Sequence, residues 1–453
     1  MKTKTSMENS RPTVASPPVS SIAAETMALP ARRDPSKHQT KGQSLSSSAR
    51  PPLIGRKVLA RMSEVSSGSL SLLEGGRRHD FGKAEAGLPH ATIEVRDARF
   101  WAAVAFRGSI GAGEAYSKGW WTSADPVAVV RVFVRNGEAL DGLERGFARL
   151  SRPFLAVYHA LRRNNERGSA ENIRAHYDVS NEFFALFLDP TMTYSCGVYE
   201  HPEATLEEAS IAKIDRLCRK LDLKPSDHLL EIGTGWGAFA LHAAREYGCR
   251  VTTTTISKEQ HVLAEKRIRE AGLEDRITLL FQDYRRLEGT YDKLVSVEMI
   301  EAVGADYYGE FFECCSKLLK PEGSMALQAI TISDQHFERA RRSVDFIQRH
   351  VFPGSCIPSV TALISAATRS SDLRVAELED IGPHYVKTLA TWREALRARW
   401  SDAMAMGYSD DFLRQWEFYF AYCEGGFAER HISDVHMLLQ RPGVRPPITA
   451  RPI

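Results

Sequence analysis

Leu229-Leu230-Glu231-Ile232-Gly233-Thr234-Gly235-Trp236-Gly237 is the stretch on which the reading of this 453-residue chain turns. His228–Ile232 has the apolar run of a buried strand, and amphipathic periodicity resumes after the glycines and continues to Tyr247. A strand, a glycine turn and a helix in that order form the setting of a nucleotide-type loop. Glycine adopts backbone angles closed to other residues and lets a ligand come close to the chain. The spacing is G-x-G-x-G, whereas the dinucleotide fingerprint is G-x-G-x-x-G. A cofactor with adenosine and an amino-acid tail therefore fits better than a pyrophosphate. Glu231 stands where an acid can receive that tail's ammonium, directly or through water, and Gly233, Gly235 and Gly237 form the cradle.

Outward from this stretch, short apolar runs alternate with longer amphipathic ones. Arg250–Thr255 predicts a second strand and Ser257–Ala271 a helix; Arg276–Phe281 and Lys293–Val297 predict further strands. Asp306–Leu319 reads as a helix, Lys320-Pro321-Glu322-Gly323 as a turn and Ser324–Ile330 as a strand, with Arg374–Leu378 and Val435–Leu439 closing the sheet edge. Strands alternating with helices imply βαβ units, hence an α/β, doubly wound, Rossmann-like sheet. No acid ends the second strand, so Thr255, Ile256 and Gln260 are the groups available to a ribose or tail. Asp283 and Tyr284 follow the third strand where an adenine would lie, and Asp283 reads equally as a helix cap. Upstream, the Ser-, Pro- and Lys/Arg-rich residues 1–50 are expected to be a disordered tail. Residues 51–150 form a small α+β module, in which Tyr116-Ser117-Lys118-Gly119-Trp120-Trp121 is either a core anchor or an amphipathic rim for lipid. Residues 151–445 form the cofactor domain.

Composition narrows the function classes. Hydrophobic residues at 43% and charged residues at 26% suffice for an ordinary soluble core. Net charge is only +2, although the segment up to Arg61 carries about +8, and no basic, aromatic-studded groove is evident, which argues against nucleic acid as a partner. Seven cysteines without a C-x-x-C pair argue against a structural zinc site and for a reducing compartment. No apolar run nears the ~20 residues that span a bilayer, and the N-terminus lacks a secretory apolar region. The expectation is a cytoplasmic protein that reaches membranes peripherally.

Five further motifs carry a resemblance: His176-Tyr177-Asp178-Val179-Ser180-Asn181, Thr193-Tyr194-Ser195-Cys196-Gly197, Met299-Ile300-Glu301-Ala302-Val303-Gly304, His384-Tyr385-Val386-Lys387-Thr388-Leu389 and, upstream, Gly113–Trp121. With the glycine loop, these resemble the cyclopropane-fatty-acyl-phospholipid synthase family, which includes the mycolic acid cyclopropane synthases. The resemblance implies a class I S-adenosylmethionine-dependent methyltransferase acting on unsaturated phospholipid acyl chains, with Tyr194 and Ser195 joining the cofactor set. Methyl transfer to an alkene leaves a carbocation, which aromatic faces stabilise without reacting with it. Tyr177, Phe183, Phe184 and Tyr194 are candidates for that role, with plain core as the alternative. A base must then remove a proton so that the cyclopropane closes. The resemblance makes that base a bicarbonate held by Cys196, Glu301 and Tyr385 with neighbouring backbone, Gln328 and Ile330 lying beside it. The family's Leu-His-Thr-Ile stretch is here Leu327-Gln328-Ala329-Ile330, and glutamine cannot titrate near neutrality. Other readings stay open: methylation without ring closure, a small-molecule N- or O-methyltransferase, a silent lipid-binding homologue, and assembly as a homodimer. Phe337–Val351 reads as one basic amphipathic helix, either lying on a membrane or packed on the domain.

Overall fold

The computed structural model describes residues 52–137 and 179–445. The expected tail and the His176–Asp178 part of the first motif, with Tyr177, lie outside them.

Glycine chemistry starts the small sheet. Gly75 and Gly76 both take positive φ and make a two-residue turn, so β1 (Ser69–Glu74) folds back on β2 (Arg77–Gly82), with Glu74 opposite Arg77. β3 (His90–Val95) runs parallel to β1 and buries Ala91, Ile93 and Val95 on alternate positions, and β4 (Trp121–Thr122) pairs with its end. The helix Arg99–Ser117 covers this sheet and kinks at Gly108. Tyr116 and Trp121 are buried core residues, whereas the flanking Trp120 packs beneath the Arg99 guanidinium 4.6 Å away. Anchoring, one of the two readings of this cluster, accounts for Tyr116 and Trp121.

The large sheet comprises β5 (His228–Ile232), β6 (Arg250–Thr255), β7 (Ile277–Phe281), β8 (Tyr291–Val297), β9 (Leu319–Ile332), β10 (Arg374–Asp380) and β11 (Ile432–Gln440). Their order is β10-β11-β9-β8-β5-β6-β7, with β5 to β9 parallel and β11 antiparallel to both its neighbours. β11 is therefore interior, and only β10 lies at that edge. The turn expected at Lys320–Gly323 is a bulge inside β9: Leu319 pairs with Tyr291, the next pair is Ser324 with Lys293, and the four residues between loop out. After β5 the chain moves one way across the sheet, then returns to start β8 on the other side. Ligand crevices form at such a reversal, because the loops leaving the two strands diverge. The carboxyl ends of β5 and β8 are thus brought side by side.

The expected helix over Phe337–Val351 is a correction. The chain forms two short helices, Asp334–Ala340 and Phe346–His350. Asp345 starts the second: its carboxylate accepts the Gln348 N–H at 2.8 Å, and Gln348 returns a carbonyl to the Asp345 N–H at 3.0 Å. Val344 and Phe346 face inward, and Arg341 and Arg342 both pair with Glu338.

The helix Asp410–Ala428 joins the two sheets. Glu417 accepts the Tyr116 hydroxyl at 2.7 Å, Asp411 pairs with Lys118 at 2.6 Å, and one hydrophobic cluster runs from Leu70 and Trp101 to Trp392 and Phe420.

Candidate active site

The turn after β5 is a cradle. Gly233 and Gly235 stand at φ 101° and 53°, and a Cβ on Gly235 would meet no protein atom within 4 Å. The N–H groups of Gly233 and Thr234 both donate to the Thr254 carbonyl at the end of β6, which pins the turn open. Glu231, the last-but-one residue of β5, is buried; its carboxylate accepts the Thr253 hydroxyl at 2.6 Å, and burial pushes its pKa up to about 8. A buried acid held by one hydroxyl beside an open glycine turn suits an ammonium-bearing ligand tail. Gly237, Thr255, Ile256 and Gln260 complete this end, with Gln260 accepting the Thr255 hydroxyl at 2.9 Å. Tyr284 lies on the cavity wall with Asp283. Both Asp283 oxygens are bound by Arg285, at 2.7–3.0 Å, so the carboxylate caps the turn Tyr284–Arg286 and its charge is neutralised locally.

Across the crevice, the end of β8 gathers the second half of the site. Cys196, Gln328 and Tyr385 do converge, and they converge on a residue that sequence reasoning missed. Glu298 Oε1 accepts the Cys196 backbone N–H and the Gln328 amide, both at 2.8 Å, and Oε2 accepts the Tyr385 hydroxyl at 2.7 Å. Gln328 also donates to Asp434 at 2.8 Å. Burial pushes both carboxyls upward, and at Asp434 the neighbouring Glu298 charge and a hydrogen bond to Glu298 add to the rise. Glu301 lies one turn beyond: Oε1 accepts the Ile330 N–H at 2.5 Å, while Oε2 is buried without a hydrogen-bond partner among the described residues. Burial first, and then the charge of Glu298, push Glu301 up to about 8. Burial likewise pushes the Cys196 thiol up, which disfavours the thiolate; the contact it makes here with Glu298 is through the backbone N–H.

These contacts correct the bicarbonate expectation. The Cys196 N–H and the Tyr385 hydroxyl, the donors assigned to that ion, are already taken by Glu298. A second anion would face the carboxyls of Glu298 and Glu301, and among the described residues no cation hydrogen-bonds to either. The residues present do not fit it.

Glu298 is also strained. Its φ is +46°, a region where a non-glycine residue costs about 1 kcal/mol. Such strain survives only where the surroundings hold the residue in place; here three donors grip the side chain. One signal was available in the sequence: the position directly follows a central parallel strand. A second missed group is Lys213, buried among Ala209, Ile214 and Leu217 on the inner stripe of the helix Leu206–Lys220. Its ammonium donates to the Ser195 hydroxyl at 2.8 Å and lines the same cavity. A lysine at an apolar-stripe position was legible as an anomaly.

The rings divide. Phe183 and Phe184 are fully buried in the core against Trp416, so the core reading applies to them. Tyr194 does reach the cavity, its hydroxyl 3.0 Å from that of Tyr419. Tyr385 stacks on Phe427 with centroids 4.5 Å apart. A cavity of about 1120 Å³ runs from the glycine turn past Glu298 and Glu301 to Ile93, Val104 and Trp121 of the small sheet's layer.

Comparisons with known proteins agree with this architecture. Residues 164–437 match the family model described as mycolic acid cyclopropane synthetase. The chain is 36% identical, over 74% of its length and 80% of the relative's, to the tuberculostearic acid methyltransferase of Mycobacterium tuberculosis. It is 34% identical to the cyclopropane-fatty-acyl-phospholipid synthase of Escherichia coli K12, over 78% and 88% of the two chains. Among solved structures, mycolic acid cyclopropane synthase CmaA1 complexed with SAH and CTAB superposes with a TM-score of 0.56 at 32% identity, covering 60% of this chain and 98% of that one.

Proposed function

Because the chain belongs to the mycolic acid cyclopropane synthetase family, S-adenosylmethionine-dependent methyltransferases that modify lipids, we propose that it methylates a double-bonded carbon of an unsaturated phospholipid acyl chain, met at a membrane surface. The observation that carries this reading is the joining of the glycine cradle, the Glu298–Glu301 acids and a long apolar wall in one cavity. S-adenosylmethionine, when bound, supplies an electrophilic methyl group. Glu231 receives the ligand's ammonium, and Gly233 and Gly235 let its backbone-facing edge approach. The apolar wall, extending into the small module, holds the acyl chain and excludes water from a cation that water would quench. Tyr194, Tyr385 and Phe427 line that region as aromatic rings that can stabilise a cation without reacting with it. Loss of a proton then closes a cyclopropane ring.

A second reading, methylation that ends in an alkene or a branch, is favoured by Gln328 in place of the family histidine and by the relative named a tuberculostearic acid methyltransferase. The experiment is expression in a host with unsaturated phospholipids and methyl-labelled donor, followed by mass spectrometry before and after hydrogenation. One labelled CH2 per acyl chain is expected. A product heavier by CH2 that takes up no hydrogen is the ring, one heavier by CH2 that does is the alkene, one heavier by CH4 is the branch, and unlabelled lipid with a labelled amine or alcohol would end the proposal.

Glu231 adds a pH test. It is protonated below about 8 in the ligand-free protein, and only the ionised form receives an ammonium. Affinity for S-adenosylhomocysteine is therefore expected to weaken as pH falls below about 8, by up to about tenfold per unit. Calorimetry from pH 6 to 9 measures this; a flat profile would take Glu231 out of the cofactor set.

A further inference from the structure

We infer that Glu298 replaces the bicarbonate of the family's reaction: its own carboxylate fills the anion position and takes the proton that ends the methyl-transfer step. This rests on the function proposed above and deepens it. The geometry is that of a bound oxyanion. One carboxylate oxygen receives a backbone N–H and an amide, and the other receives a phenol, all within 2.7–2.8 Å. These are the groups that would otherwise hold an ion recruited from solution. Gln328 suits this arrangement and is not a damaged histidine. Its amide bridges Glu298 and Asp434, and its carbonyl faces His436 Nε2 at 3.2 Å, so every polar atom of the side chain has a partner. A tethered base needs no binding step and is present at full occupancy.

The step balances without a redox partner. The acyl chain carries the transferred methyl group and a cationic carbon next to the methylated one. Glu298 removes a proton from the methyl. The C–H electron pair closes onto the cationic carbon as the third side of the ring, and Glu298 is left as a neutral carboxyl that returns its proton to water after product leaves. If a hydride first shifts from the methylated carbon to the cationic one, the same deprotonation yields a methylidene (C=CH2) branch on the open chain instead.

Glu298→Gly tests the inference, because glycine is at ease at φ +46° and the variant is expected to fold. Purified wild-type and variant chains are given vesicles of unsaturated phospholipid and methyl-¹³C-labelled donor in CO2-scrubbed buffer, with and without added bicarbonate. Wild-type labelling should be the same within about twofold in both buffers. Glu298→Gly should lose about 100-fold or more in scrubbed buffer, the range of a general base, and recover part of it with bicarbonate. Glu298→Gln, which still fills the position but is not basic, should be inactive in both. A second readout needs no substrate: the ¹³C resonance of labelled bicarbonate should broaden with ligand-free Glu298→Gly and stay sharp with wild type. Wild-type labelling that stalls in scrubbed buffer and returns with bicarbonate, or broadening by wild type, overturns the inference. A wild-type chain that labels no lipid in either buffer overturns the parent function instead, and the resonance experiment then decides the anion position alone.

Discussion

At pH 9, where Glu301 is ionised, Glu301→Gln should lower turnover by roughly 10²–10³-fold while leaving the affinity for S-adenosylhomocysteine within about twofold. The reason is orientation. Glu301 Oε1 accepts the Ile330 N–H at 2.5 Å, so a glutamine must keep its carbonyl there and place its NH2 at the position of the unpartnered Oε2. Above about pH 8 Glu301 is ionised, and an amide N–H in place of the free carboxylate oxygen then presents the wrong end of its dipole to developing positive charge. It would also donate toward Glu298 and lower that group's basicity. Cofactor affinity should hold because Glu231, Thr253 and the glycine turn belong to a different strand end. Single-turnover kinetics with labelled donor, alongside calorimetry, measure both quantities. Stability should move the other way. A carboxyl raised from 4.5 to about 8 in the folded state is increasingly unfavourable as pH climbs between those values, since unfolding lets it ionise. Glutamine removes that penalty, so the variant should melt above wild type at pH 8 and higher. Equal turnover in variant and wild type would remove Glu301 from the reaction.

Gly113→Ala should destabilise the chain by about 2–3 kcal/mol through overpacking. An added Cβ would lie 2.3 Å and 2.5 Å from two atoms of the Phe346 ring and 2.8 Å from the Phe418 ring. Neither ring has room to yield: Phe346 is fully buried with its centroid 5.0 Å from Phe418, and Phe418 packs in turn on Tyr116 and Trp121. Backbone strain is not the cause, since Gly113 lies within the helix Arg99–Ser117 and does not take positive φ. Gly137→Ala is the control, because nothing among the described residues lies within 4 Å of its Cβ, and its midpoint should shift by less than about 0.5 kcal/mol. Denaturant unfolding of the two variants and wild type gives the comparison. If Gly113→Ala unfolds at the wild-type midpoint, the small sheet's layer and the helix Asp410–Ala428 are not in the tight contact described.

The small module thus belongs to the site as much as to the scaffold. Tyr116 and Trp121 lock it to the helix Asp410–Ala428, and Ile93, Val104 and Trp121 continue the apolar wall that begins at the acids. Basic residues near the cavity are also less available to a membrane than their spacing suggested. Arg341 and Arg342 already share Glu338, and the helix meant to carry them is broken before Asp345.

Local rules made the fold legible from the chain. Apolar runs of five to seven residues separated by amphipathic stretches can only pack as buried strands with covering helices, and three glycines after the first such strand can only be a turn. Glu231, Gly233, Gly235, Cys196, Glu301 and Tyr385 were readable on those grounds and by resemblance. The sequence could not tell which of these groups touch. Glu298 meets Cys196 and Tyr385 across 102 and 87 residues, and those distances depend on strand order and register. That β11 enters between β9 and β10, carrying Asp434 up to Gln328, follows from pairing energies summed over the whole sheet, to which no local pattern points. Periodicity chose the elements; the closing of the sheet chose their neighbours, and through them which carboxylate stands at the centre of the site.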